Sequence, residues 1–412
     1  MSTTFMQFDA IAESTPGPKW LSRWHRSWPE YRAWFISRGG ANGPSRKACE
    51  QALETYMPEL STTYRQLCRL AGNDDLSARF LSTWCPPAYL GGCSIAALSG
   101  GDSVRLVRNY DLSPELNEGL LLHSNWTGKP VMGMIEFLWG LSDAVNTRGL
   151  SVALAYGGRC ETGRGFGVTT ILRYIMETCG TVAEAVRVLE RVPSHMAYNI
   201  TLADRVGAAL TIELTPGGGV RRMQQAVTTN HQHGRETAMH PVFTRTIERL
   251  EHLKALLLDK VAPRELPGAF LKKPLHQDDY ANGMGTLFTA EYDPRHGTMT
   301  LHWLEDRWSQ SLHAFEEGVR MVSLHGNSAV TQSACQVQFA PASAAPTAPT
   351  APATHTLPKV PISVGDGAFN LETMINQLRP NLPAAARQRL DDWHAQTRHG
   401  ETDWCGFGRV FY

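Results

Sequence analysis

Gly91-Gly92-Cys93-Ser94-Ile95-Ala96-Ala97-Leu98 leads, after Ser99 to Asp102, into Ser103-Val104-Arg105-Leu106-Val107-Arg108-Asn109-Tyr110-Asp111. Both stretches are short, apolar and bounded by Gly and Asp, which reads as strands joined by a turn. Pairing 93–98 with 102–109 as a hairpin returns the far end of the second strand beside Cys93. Arg108 and Asp111 then lie near a thiol that two glycines leave accessible from the backbone side. Glycine has no Cβ and tolerates unusual dihedrals, so the Gly92–Cys93 peptide can be strained without steric conflict. A nearby cation lowers a thiol pKa, and the thiolate is the nucleophile. A plain ion pair between Arg108 and Asp111 is the competing reading of the same spacing.

Before the hairpin, residues 17–85 carry apolar and aromatic positions at helical spacing, with Pro29 expected to break or start a helix. Trp20, Trp24, Trp28 and Trp34 read as core or subunit contacts. After the hairpin come further strands, LLLHSNW, VMGMIEF and LSVALAYGG, then a helix over 166–178 and a second that Thr181 caps. Strands resume with YNITLAD, AALTIELT and VRRMQQAVTTN. HPVFTRTIERLEHLKALLLDKV is helical, and GTLFTAEYD with GTMTLHWL forms a hairpin around Pro294 to Gly297. Antiparallel strands around a helix pair predict an α+β fold, not alternating βαβ units. Residues 340–358 are an Ala/Pro/Thr linker, and 359–412 form a tail with an aromatic end, expected to dock on the main domain or a partner subunit.

The 412 residues hold 39 Lys+Arg and 39 Asp+Glu, a formal net charge of zero, which argues against nucleic acid or an anionic membrane as partner. No apolar run approaches the roughly 18 residues of a membrane span. The N-terminus lacks the apolar core of a secretory signal, so a cytoplasmic protein is expected. Its 8 cysteines contain no CxxC pair, and most read as reduced, small apolar residues. Gly163-x-Gly165-x-Gly167 lacks the companions of a phosphate loop and reads as a turn at a helix start. His231-x-His233 has no carboxylate partner motif, so no metal or other cofactor is expected.

Six segments in order, GGCSIAAL, VRNYD, SDAVNTRGLSVALAYGG, NITLAD, TTNH and YDPRHGTMT, resemble the acyl-CoA:6-aminopenicillanic acid acyltransferase family, the C45 peptidases. That family is related to the choloylglycine hydrolases. The likeness runs from about Trp84 to about Trp303; the tail has no counterpart, and residues 1–92 show only faint similarity. It implies an αββα sandwich of the N-terminal nucleophile hydrolase type, here with a helical N-terminal segment. It also implies self-cleavage between Gly92 and Cys93, giving fragments 1–92 and 93–412 that stay associated, with 93–339 as the hydrolase domain.

By the same resemblance Cys93 is the nucleophile, Asp111 contacts its freed α-amine, and Arg108 is the arginine paired with that acid. Asn230 is the oxyanion asparagine, with backbone N–H groups near Tyr156-Gly157 assisting. Arg295 is the late arginine near the active site, and Asn146 belongs to a structural turn. An N-terminal cysteine carries its own base, because an α-amine titrates at about 7.7–8.0. The expected activity is hydrolysis of an amide, or acyl transfer to an amine, through a thioester on Cys93. The substrate would be a small acyl amide or an acyl-CoA-type donor; a homo-oligomer stays open. The alternative is an unprocessed, inactive relative serving as a binding or assembly subunit.

Overall fold

The computed structural model describes residues 5–89, 91–234, 244–280 and 284–324. The chain divides into one unit, Met1–Asn327, and a second, Ser328–Tyr412, all of whose residues lie outside those described. The expected linker 340–358 and tail 359–412 fall there.

Met6, Phe8 and Ala10 are buried while their neighbours are not, so Phe5–Glu13 is a strand, β1. The sequence reading passed over this alternation. Four helices follow: α1 (Pro18–Ser37), α2 (Arg46–Tyr56), α3 (Ser61–Leu70) and α4 (Asp75–Ser82). Helix α1 runs through Pro29 without breaking, contrary to expectation. Pro29 and His25, whose carbonyl a proline four residues on cannot serve, are both exposed residues, while buried Trp20, Trp24 and Phe35 hold both halves. Trp24 stacks on Trp20 at 5.4 Å and on Trp28 at 4.4 Å, as core contacts.

The hairpin forms as read: β2 (Gly92–Gly100) pairs antiparallel with β3 (Ser103–Leu112). Then come β4 (Leu120–Ser124), β5 (Val131–Glu136), β6 (Gly140–Asn146) and β7 (Leu150–Tyr156). Helices α5 (Val168–Thr178) and α6 (Val182–Arg191) follow, and the Thr181 hydroxyl accepts the Glu184 N–H as its cap. After β8 (Tyr198–Asp204), β9 (Ala209–Leu214), β10 (Val220–Arg222) and β11 (Val227–Thr228) come α7 (Thr246–Leu258) and α8 (Leu266–Phe270). The last strands are β12 (Asp278–Asp279), β13 (Met284–Asp293), β14 (Thr298–His302), β15 (Arg307–Ser311) and β16 (Gly318–Ser323).

A nine-stranded sheet has the order β10-β9-β8-β7-β6-β5-β4-β1-β16. A second sheet runs β11-β2-β3-β13-β14-β15, with β12 on β13. Pairing is antiparallel except between β1 and β4. Three cores separate the layers. Side chains of α1–α6 pack on one face of the large sheet, the two sheets share a second core, and α7 and α8 close the outer face of the smaller sheet. The fold is therefore α+β, an αββα sandwich with helices at its N-terminus. Among the described residues no helix is long and apolar enough to cross a membrane.

Candidate active site at Cys93

Cys93 enters β2 at its second residue and lies opposite Tyr110, with Gly92 opposite Asp111 and Ile95 opposite Arg108. A Cβ on Gly92 would sit 2.8 Å from the Asp111 carbonyl oxygen, so only glycine fits there. Side chains alternate across a strand, so Cys93, Arg108 and Tyr110 point between the sheets while Asp111 points toward α7 and α8.

Arg108 Nη2 donates to Cys93 Sγ at 3.1 Å, and its Nη1 donates to Asp143 Oδ1 at 2.8 Å. The guanidinium also lies 4.2 Å from the centroid of Tyr110. Tyr292 donates to the other oxygen of Asp143 at 3.0 Å. The partner of Arg108 is thus Asp143, on β6 of the facing sheet. Asp111 does not take that place, because three residues along one strand put it on the opposite face.

Asp111 is instead paired with Arg249, on α7, at 3.6 Å, and accepts from the Thr286 hydroxyl at 2.7 Å. Its Oδ2 is buried without a hydrogen bond. Arg249 is fully buried and binds at Cys93: Nη1 donates to the Cys93 carbonyl at 2.6 Å and to Ser94 Oγ at 2.8 Å. Its Nη2 donates to Asn230 Oδ1 at 2.9 Å. That same oxygen accepts the Cys93 N–H at 2.9 Å, which fixes which end of the amide is oxygen. Asn230 Nδ2 then donates to the Tyr156 carbonyl at 3.2 Å and to the Gly91 carbonyl at 3.3 Å.

Burial pushes the Cys93 thiol up to about 11; Arg108 pulls it down, and Asp111 adds to the rise. The expected lowering by the neighbouring cation is present but is outweighed by desolvation. Burial likewise raises Asp111, against the pull of Arg249 and the Thr286 hydrogen bond. The thiol is therefore protonated at neutral pH.

The structure brings Gly92, Cys93, Arg108, Asp111 and Asn230 together. Arg295 does not join them. It lies after β13, its Nε donating to the Arg205 carbonyl at 3.0 Å and its Nη1 3.8 Å from Asp102, in the turn between β2 and β3. Seven strand residues separate Cys93 from that turn, roughly 20 Å. The second buried arginine at the site, besides Arg108, is Arg249. Its sequence context, TRTIERL, read as helix and gave no chemical signal. Asp143 was missed because GLSDAVN was not read as a strand. The Gly157 N–H is already taken by the Ala197 carbonyl at 2.9 Å, so it is not a spare oxyanion donor in this state. His231 Nδ1 is engaged with Thr246 Oγ1 at 2.9 Å, and Gly165 allows close passage of the Ser194 backbone.

The sequence model of the acyl-coenzyme A:6-aminopenicillanic acid acyl-transferase family matches residues 98–308. No curated protein sequence matches the chain. Among solved structures, a conjugated bile acid hydrolase mutant from Clostridium perfringens aligns at 14% identity and a TM-score of 0.39, over 55% of this chain and 96% of that one. Penicillin V acylase from Agrobacterium tumefaciens aligns at 14% identity and 0.37, over 56% and 91%. A Caenorhabditis elegans ortholog of the N-acylethanolamine-hydrolyzing acid amidase aligns at 15% identity and 0.37, over 56% and 99%.

Proposed function

The chain belongs to the acyl-coenzyme A:6-aminopenicillanic acid acyl-transferase family, and on that premise we propose that it is an autoprocessed amide hydrolase or acyltransferase with Cys93 as nucleophile. Its substrate is a small acyl amide or an acyl-CoA-type donor. The observation that carries this reading is Asp111 Oδ2, buried across the ladder from Gly92 with no hydrogen bond and with the Arg249 guanidinium no nearer than 3.6 Å. A buried carboxylate oxygen that accepts no hydrogen bond is costly. Cleavage at Gly92–Cys93 would supply a donor, the α-ammonium of Cys93, one residue away.

In maturation the Cys93 sulfur attacks the Gly92 carbonyl carbon. A C–S bond forms, the C–N bond breaks, and the thiol proton passes to the departing nitrogen. Water hydrolyses the thioester, leaving a carboxylate on Gly92 and a free thiol. In turnover the α-amine takes the thiol proton, and the thiolate attacks the substrate carbonyl. The leaving amine receives that proton from the α-ammonium, and water or an acceptor amine then cleaves the thioester. Arg108, anchored by Asp143, steadies the sulfur anion. Withdrawal of the new Gly91-Gly92 end from the site after cleavage would free one N–H of Asn230 Nδ2 to face an oxyanion. Strand β1 lies inside the large sheet between β4 and β16, which supports continued association of fragments 1–92 and 93–412.

Intact-mass measurement tests this. The wild-type chain should give two masses split before Cys93, and Cys93→Ala should stay at 45.5 kDa. An active preparation with only the full-length mass would overturn the mechanism. A full-length, inactive chain would favour the binding-subunit reading instead.

A further inference from the structure

Thr229, Asn230, His231 and Thr246 share a closed set of hydrogen bonds behind the Cys93 peptide. The Thr229 hydroxyl donates to the Thr246 carbonyl at 2.8 Å, and the Thr246 hydroxyl donates to Thr229 Oγ1 at 2.9 Å. Thr246 Oγ1 accepts the Asn230 N–H at 2.8 Å and lies 2.9 Å from His231 Nδ1. Both hydroxyl protons are thus placed, and the second lone pair of Thr246 Oγ1 is open to an N–H. The ring that completes the set carries a proton on Nδ1, a tautomer inferred from these partners.

These bonds tie down the start of α7. Arg245, just before it, has a φ of 49°, a left-handed conformation that a long side chain seldom adopts, and its side chain makes no capping hydrogen bond. Thr246 therefore fixes the first turn to the Thr229–His231 segment. Arg249 belongs to that turn, and its Nε donates to the Thr244 carbonyl at 3.0 Å. The turn held by His231 thus carries the guanidinium that reaches the Cys93 carbonyl, Asn230 Oδ1 and Asp111. Asn230 is itself fixed to Thr246 Oγ1 by its own N–H.

We propose that His231 is a positioning residue for the chemistry at Cys93. Its neutral imidazole, donating from Nδ1 to Thr246, holds Asn230 and Arg249 against the Gly92–Cys93 junction, and protonation in acid loosens that hold. The proposal rests on the roles given above to Cys93 and Asn230.

The surroundings favour the neutral ring. Arg249, Lys254 and Glu251 face it from α7, and His233 faces it from its own segment. From β8 comes the neutral amide of Asn199, whose Nδ2 donates to the His231 carbonyl at 3.0 Å. Arg159, in the loop after β7, is paired with Glu161 at 3.0 Å. Burial pushes the imidazole below its ordinary 6.5; Arg249, Lys254 and His233 add to the fall, and Glu251 opposes it. An imidazolium there would also stand against the positive end of the α7 dipole. The folded chain therefore binds this proton less tightly than the unfolded one. The hold is full above the ordinary value of 6.5 and is lost as pH falls through the lower folded value.

A time course of fragment masses across pH, run on the full chain, tests this. His231→Asn puts an amide N–H where Nδ1 stands and cannot titrate, whereas His231→Leu removes the donor. His231→Asn should cut at the wild-type rate at about pH 7.5, and from there to about pH 5.5 the wild type should slow at least about fivefold more than this variant. His231→Leu should cut at least about tenfold more slowly than wild type at about pH 7.5. Normal cutting by His231→Leu, or one acid profile shared by wild type and His231→Asn, would overturn the proposal. If His231→Leu fails to fold, those two profiles decide. Hydrogen exchange of segments 229–232 and 246–250, corrected for the intrinsic rate, reads the hold without chemistry. In the uncut Cys93→Ala chain it should quicken in acid, and adding His231→Asn should suppress that change. A wild-type chain that never cuts, with this exchange difference present, refutes the enzyme reading alone. A chain that cuts with neither difference refutes the role of His231 alone.

Discussion

The side-chain amide of Asn230 grips the chain on both sides of Gly92, accepting the Cys93 N–H at 2.9 Å and donating to the Gly91 carbonyl at 3.3 Å. One residue thereby fixes the junction at which cleavage is proposed. Asn230→Ala should slow fragment appearance and lower kcat by roughly 10²–10³, with circular dichroism unchanged. Normal processing with normal kcat would remove Asn230 from both steps.

Among the described residues Arg249 is the cation ion-paired with Asp111, and it also binds the Cys93 carbonyl. Arg249→Met would strand a buried carboxylate and should cost roughly 3–5 kcal/mol in urea denaturation. Arg249→Lys keeps the charge but loses the fork that serves several acceptors, so it should recover only part of that stability. Equal stability of wild type and Arg249→Met would show that Asp111 is neutral in the folded chain.

Gly92 and Gly91 differ sharply in room. A Cβ at 92 meets the Asp111 carbonyl oxygen at 2.8 Å, whereas one at 91 meets nothing within 4 Å. Gly92→Ala should slow processing at least about tenfold or destabilise by about 1–3 kcal/mol, while Gly91→Ala should process normally. The reverse order in a time course of fragment masses would contradict the packing.

Arg295 is expected to be dispensable. Its guanidinium reaches the Arg205 carbonyl and exposed Asp102, far from Cys93. Arg295→Ala should leave kcat within about twofold and stability within about 0.5 kcal/mol. A loss of kcat of a hundredfold would mean that Arg295 reaches the site in the working enzyme.

Glu136 should make stability depend on pH. Burial lifts its folded pKa from the ordinary 4.5 to about 7, so the folded state holds this proton more tightly than the unfolded chain. The associated stability is full below about 4.5 and is lost as pH rises through about 7, up to about 3 kcal/mol. Urea midpoints for Glu136→Gln should show a flatter decline over that window. An identical slope in the variant would place the titration elsewhere.

The sequence alone determined the β2–β3 hairpin, the placing of Cys93 at its start, the Thr181 cap and the α+β class. Each depends on neighbours in the chain: alternation, turn residues and caps act over a few positions. The register that sets Asp111 opposite Gly92 came from the structure, since pairing 93–98 with 102–109 says only that the strand returns beside Cys93. Strict alternation along 103–112 would also have told that Arg108 and Asp111 face opposite ways. The tertiary structure decided which charges meet. Asp143 reaches Arg108 from the facing sheet, 35 positions later, and Arg249 reaches Cys93 from a helix 156 positions on. Arg295, in a motif with the right order, was carried to the far end of the hairpin instead. Residues so distant in sequence meet only because two sheets and a covering helix bury their charges in one place. There desolvation makes pairing obligatory, and no local pattern records which partner will arrive.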